Sequence, residues 1–208
     1  MADSYPVSMA IDYPDRKLNR LTSFFRIFTV IPIMILFLAL LGGGYKYTAG
    51  SGDTGWAVGM GFLFLPILLM LLFRKKYPRW WYDWNFNLAS FALRVGAYIC
   101  LLTDVYPSTD EEQSVHLELP YPDAATELNR WLPLVKWFLA IPHFFVLIFL
   151  ELAALVVTLI AWFAILFTGL YPRDLFNFVV DVLRWRLRVA AYFIILTTDK
   201  YPPFRLGV

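Results

Sequence analysis

Residues 131–168 read WLPLVKWFLAIPHFFVLIFLELAALVVTLIAWFAILFT, in which Lys136, His143 and Glu151 are the ionisable side chains. A straight helix of this length, at about 1.5 Å per residue, approaches 57 Å, whereas the hydrocarbon core of a bilayer is roughly 30 Å thick. The stretch is too long to cross a membrane once and about right to cross it twice. It reads as a helical hairpin with spans over 131–149 and 152–168 and a turn near Glu151. Glu151-Leu152-Ala153-Ala154 is, however, a good helix-forming run without Gly or Pro, which leaves a continuous bent helix as the alternative.

The rest of the chain agrees with a lipid environment. Of its 208 residues 60% are hydrophobic and 16% charged, against about 45–50% apolar and about 25% charged in soluble domains. A net charge of +2 gives no electrostatic footprint for nucleic acid, and the one cysteine, Cys100, excludes an internal disulfide or a thiolate metal cluster. The polar N-terminal residues carry no cleavable secretory signal, so the first apolar run is expected to insert by itself.

Outward from the quoted stretch, the chain repeats itself. Leu128-Asn129-Arg130 matches Leu18-Asn19-Arg20, Lys136 matches Arg26, and Ile141-Pro142 matches Ile31-Pro32. Tyr171-Pro172-Arg173 matches Tyr77-Pro78-Arg79, and Leu187-Arg188-Val189 matches Leu93-Arg94-Val95. Thr198-Asp199-Lys200-Tyr201-Pro202 matches Thr103-Asp104-Val105-Tyr106-Pro107. Motifs recurring in one order point to two tandem repeats, residues 1–107 and 108–208. In the first repeat the spans are expected at 21–41 and 56–73, joined by the Gly-rich linker 42–55. Alternating apolar residues at 7–13 and 115–121 predict short strands, which, with Phe204 to Val208, are expected to form a small sheet beneath the bilayer.

The third helix of each repeat is striped. Asp83, Asn87, Ser90 and Arg94 in one, and Asn177, Asp181, Arg184 and Arg188 in the other, recur at spacings of three and four on one face. Spanning would place the arginines near mid-bilayer, at roughly +2.5 to +3.5 kcal/mol each. Amphipathic helices over 80–102 and 174–198, lying at the interface, avoid that cost. The fold class is therefore an all-α membrane protein of four spans, two interfacial helices and short cytoplasmic strands. The basic clusters Arg16-Lys17 with Arg20, and Arg74-Lys75-Lys76 with Arg79, place both termini in the cytoplasm.

The second half carries Ile141-Pro142-His143, the run from Ala161 to Arg173, Leu187 to Tyr192, and a Thr198-to-Phe204 close. This cassette resembles the bacterial membrane domain of unknown function 4389, here duplicated. The first half departs from it, with Ile33 in place of the His and Arg74-Lys75-Lys76 in place of Thr-Gly-x. That family implies a bacterial inner membrane and the architecture, and brings no mechanism.

Candidate sites follow from polar groups in apolar surroundings. Arg26 and Lys136 occupy equivalent points in the first helix of each repeat. With the stripe residues Asp83, Asp181, Arg94 and Arg188 they form the candidate polar core. Arg184, Arg186 and Arg188 are candidate contacts for anionic headgroups. Pro32, Pro66 and Pro142 are expected to kink their helices. His143 has no second ligand at metal spacing and reads as a hydrogen-bonded interior residue. No catalytic constellation, cofactor motif or metal cluster is visible, so the chain reads as a structural or accessory protein rather than an enzyme. Its expected partners are the bilayer and a larger membrane complex or a second copy. The alternatives are a small transporter or channel with its site between the repeats, and a protein that shapes membranes through hairpins and amphipathic wedges.

Overall fold

The computed structural model describes residues 5–14, 16–41, 46–48, 54–56, 67–111 and 113–207. The alternation near the N-terminus gives strand β1 (Ser8–Ile11), with Val7, Met9 and Ile11 turned inward. Asn19 then caps helix α1 (Arg20–Phe24), its side-chain oxygen accepting from the backbone N–H groups of Leu21 and Thr22. After a one-residue break at Phe25 the chain continues as α2 (Arg26–Leu41), with Pro32 inside it. The expected first span is thus helical.

The Gly-rich linker carries a two-stranded ribbon, β2 (Lys46–Thr48) and β3 (Thr54–Trp56). Trp56, the expected start of the second span, belongs to that ribbon. Most of the second span, Pro66 included, lies outside the described residues; its end is a short helical stretch followed by a π-helical turn, Met70–Arg74. Helix α3 (Arg79–Ile99) follows, then β4 (Val115–Glu118).

The stretch that decides the fold is one uninterrupted helix, α4 (Leu132–Thr168), ended by Gly169 in the left-handed conformation at φ 77°. The hairpin turn expected near Glu151 is absent. Glu151, Leu152, Ala153 and Ala154 are all strong helix formers, nothing among them supplies a stop, and Pro142 is accommodated inside the helix. Two crossings by this stretch, and the four-span arrangement that depended on them, therefore fall away. Helix α5 (Arg173–Ala190) and a π-helical turn, Ala191–Ile195, complete the described helices, and the final residues through 207 are irregular rather than a third strand.

Helix α5 lies antiparallel along α4: Tyr192 reaches Lys136, Trp185 reaches His143, and Arg186 reaches Glu151. In the same way α2 lies along α3, where Ile33 packs with Phe91 and Val95. Helix α1 caps the far end of α4, with the Trp162 indole N–H donating to the Ser23 carbonyl and Phe24 stacked on the Trp162 ring. The striped helices are therefore largely buried middle elements. They lie along α2 and α4 on one side and contact the β1–β4 ribbon on the other.

Strands β1 and β4 pair antiparallel, with Ser8 opposite Glu118 and Ile11 opposite Val115. Each strand packs on the striped helix of the other half: Arg184 of α5 donates through Nε to the Met9 carbonyl, and Tyr82 of α3 donates to the Leu119 carbonyl. The Tyr-Pro turns do the same. Tyr13 donates to the Tyr171 carbonyl and Tyr121 to the Tyr77 carbonyl, each at 2.5 Å. Arg173 covers the Tyr13 ring and Arg79 the Tyr121 ring. Two Leu residues, Leu101 and Leu196, close the two striped helices with φ of 62° and 61°.

Candidate functional site

Two buried cations hold the helices in register. Arg26, 4% exposed, donates from one terminal nitrogen to the Tyr98 and Thr103 carbonyls at 2.8 and 2.7 Å. Its other terminal nitrogen meets Asp104 at 2.5 Å, and its guanidinium lies over the Tyr98 ring. Lys136, fully buried, donates to the Thr198 carbonyl at 2.7 Å, pairs with Asp199 at 2.7 Å and sits over the Tyr192 ring. The second oxygen of each carboxylate accepts from the backbone N–H of an equivalent asparagine, Asn19 for Asp104 and Asn129 for Asp199. Desolvating a charge is costly unless its partners are complete, and here a carboxylate, carbonyls and a ring supply them.

The sequence located the cations and misassigned their partners. Asp83 instead pairs with Arg79 at 3.6 Å on an exposed helix turn, and Asp181 pairs with Arg184. A signal for the true partners was present. Asp104 and Asp199 occupy the same place in the repeated Thr-Asp-x-Tyr-Pro close, as Arg26 and Lys136 do in theirs. Asp83 and Asp181 are not equivalent: the first aligns with Asn177 and the second with Asn87.

The stripe arginines also differ from expectation. Arg94 and Arg188 are buried and donate to backbone carbonyls of the segments that follow the striped helices, Ser108 for Arg94, and Arg205 and Gly207 for Arg188. Burial among Arg184 and Arg205 holds the Arg188 guanidinium below the usual arginine range. The terminal nitrogens of Arg188 are occupied inside the fold. Arg184 is half-buried against β1. Arg186 is the exposed member, 3.9 Å from Glu151. Pro142 is exposed on α4, and His143 lies on its buried side. His143 accepts from the Trp185 indole N–H at 3.1 Å and stacks on Phe204 at 4.0 Å, as the interior reading expected.

Opposite its buried stripe of Lys136, Ala140, His143, Leu147, Ala154, Ala161 and Ile165, α4 presents an apolar back. Phe138, Phe145, Leu152, Leu159 and Phe167 lie on it, and Phe138 and Phe167 are 72% and 77% exposed. Ile27, Phe28, Ile31 and Ile35 of α2 and Leu21 and Phe24 of α1 are exposed too. Helix α4 is long and apolar enough to cross a membrane, with a mean hydropathy of 2.8 over its best window. Isolated exposed apolar residues need no explanation, but a continuous face of this extent does.

Between the halves, α3, α4 and α5 leave an apolar pocket of about 250 Å³, lined by Cys100, Ala154, Thr158 and Leu183 among others, with Glu151 and Arg186 also on its wall. Burial pushes the Cys100 thiol above its ordinary value.

No characterised protein and no solved structure is significantly similar to the chain. Residues 131–205, which take in α4, α5 and the closing Tyr201-Pro202 segment, match the family model described as Domain of unknown function (DUF4389).

Proposed function

We propose that the protein is a membrane-embedded structural or accessory component, built of two like-facing repeats on the cytoplasmic leaflet of a bacterial inner membrane. Helices α1, α2 and α4 form its lipid-facing layer and the β1–β4 ribbon faces the cytoplasm. The observation that carries this reading is the apolar back of α4, exposed along all 37 residues of the helix.

Helix α4 lies along the membrane plane rather than through it. A straight helix of 37 residues is about 55 Å long. Crossing a core of roughly 30 Å once would need a tilt of about 57°, beyond the 0–40° found for spanning helices. Helix α5 would be carried into the core with it, together with Asp181, Arg184 and Arg188. Lying flat, α4 buries its back among acyl chains. Arg186 and Glu151, at the flank of the helix, then sit at headgroup level, where an arginine near an anionic surface is worth about 1 kcal/mol.

Support for the repeats comes from paired geometry. The Arg26–Asp104 and Lys136–Asp199 pairs, the crossed Tyr13–Tyr171 and Tyr121–Tyr77 bonds, and the left-handed Leu101 and Leu196 recur at equivalent positions. The cations of the interior are engaged by carboxylates and carbonyls, which suits a scaffold better than a transport path, and the pocket between the halves is small and apolar. Lipid and a larger membrane complex are the partners.

Vesicle flotation tests the proposal. Phe145→Glu with Leu152→Glu places two charges on the apolar back without touching the buried stripe. Loss of vesicle association with the fold retained by circular dichroism is the expected result. Undiminished association would overturn the assignment of this face.

A further inference from the structure

The face of α5 turned away from α4 carries a second feature. A pocket of about 530 Å³ opens between β1, α5 and the final segment, lined by Arg184, Arg188, Arg205, Glu118, Tyr5 and Ser8 among others. Three guanidiniums therefore meet around one space. Asp181 is already held by Arg184, and Glu118 accepts a hydrogen bond from Ser8 at 2.7 Å. Arg205 has no carboxylate within ion-pair range among the described residues. Arg188 is 3% exposed; among the described residues its terminal nitrogens bond only to neutral carbonyls and its Nε is buried without a partner. Arg188 therefore keeps a free donor between two like-charged neighbours, with Asp181, already shared with Arg184, as the opposite charge beside them.

The equivalent Arg94 of the other half is likewise buried with its Nε unpartnered, and the two halves differ in what surrounds the position. Arg94 binds the carbonyl of Ser108, in a segment that continues as Thr109-Asp110-Glu111. In the second half the segment brings Arg205 instead, and the stripe position equivalent to Ser90 is Arg184. A serine and an acidic segment in one half are thus an arginine and a basic segment in the other, which gathers positive charge around Arg188.

We propose that the Arg184–Arg188–Arg205 pocket binds an oxyanion of the phosphate class. Phosphate offers several acceptor oxygens and up to two charges, and arginine forks match its geometry better than a point charge would. The site lies on the ribbon side of α5, away from the apolar back of α4. The site itself does not depend on the membrane reading.

Equilibrium dialysis of radiolabelled inorganic phosphate against the detergent-purified full chain, at fixed ionic strength, tests this. Saturable binding is expected, weakened about tenfold by Arg205→Gln (about 1.4 kcal/mol) and partly restored by Arg205→Lys. Arg205 is exposed, so this change leaves the fold in place. Arg79→Gln, an exposed arginine elsewhere, serves as control and should bind like the wild type. A parallel arm uses phosphatidylglycerol and phosphatidylcholine vesicles. Loss of the phosphatidylglycerol preference in Arg205→Gln would place a lipid phosphate in the same pocket, and an unchanged preference with weakened phosphate binding a soluble one. Non-saturable phosphate binding with both vesicle preferences unchanged by Arg205→Gln, or equal weakening by Arg79→Gln, would overturn the assignment.

Discussion

Arg26 and Lys136 hold most of what the sequence placed in the interior. Each is enclosed by an aromatic ring, carbonyls and one aspartate. Removing one member of a buried pair leaves the other uncompensated, at about 3–5 kcal/mol, whereas replacing both by apolar residues is often close to neutral. Arg26→Met and Asp104→Leu should each destabilise the fold strongly, and the double variant should recover most of the loss in thermal unfolding. Strict additivity of the two would show that the pair is not coupled. Buried tyrosines set a second expectation at this scale. Tyr77 donates to the Ile195 carbonyl, and burial pushes its phenol upward, as it does for Tyr5 and Tyr171. A raised folded-state value means their contribution is complete below the ordinary phenol value of 10 and is lost as pH rises beyond it. Melting temperature should hold from pH 8 to about 10 and then fall, less steeply in Tyr77→Phe. An identical alkaline profile in that variant would remove Tyr77 as a contributor. The cations were legible because charge stands out against an apolar run. Their partners were not, because helix-face spacing favoured Asp83 and Asp181 while the chain reversal that delivers Asp104 and Asp199 rests on leucines in left-handed conformation. Leucine gives no sign of such a turn, which costs of order 1–3 kcal/mol.

At the scale of elements, α4 shows why length alone misled. Two crossings of a bilayer explained a mostly apolar stretch of 38 residues, yet the residues at the supposed turn favour helix and prevailed. Glu151→Pro discriminates between the two forms. Within a continuous helix it removes a hydrogen bond and clashes with the preceding turn, at about 3 kcal/mol or more. A turn would tolerate it, and a melting temperature equal to the wild type would restore the hairpin. The accompanying loss of the half-exposed Glu151–Arg186 contact adds little. The striped helices were legible as amphipathic from their period. What covers the stripe was not, because β1 and β4 reach it from the opposite half, a long-range pairing that leaves no local trace.

For the whole molecule, each half lends a strand and a Tyr-Pro turn to the packing of the other. The repeated motifs, read along the chain, pointed to two like units. The spatial arrangement adds that their apolar elements, α1, α2 and α4, meet through the Phe24–Trp162 stack, while β1 and β4 pair with each other. That layering separates an exposed apolar surface from a polar one, and the striped arginines lie between them or on the polar side. The most direct test is a depth profile by spin labels at Phe138, Phe145, Leu152, Leu159 and Phe167, one at a time, in vesicles with Cys100 replaced by Ser. A flat helix predicts similar depth at all five positions, at the level of the upper acyl chains. A profile deepest at Leu152 and shallow at Phe138 and Phe167 would mean that α4 crosses the bilayer, and would contradict the account.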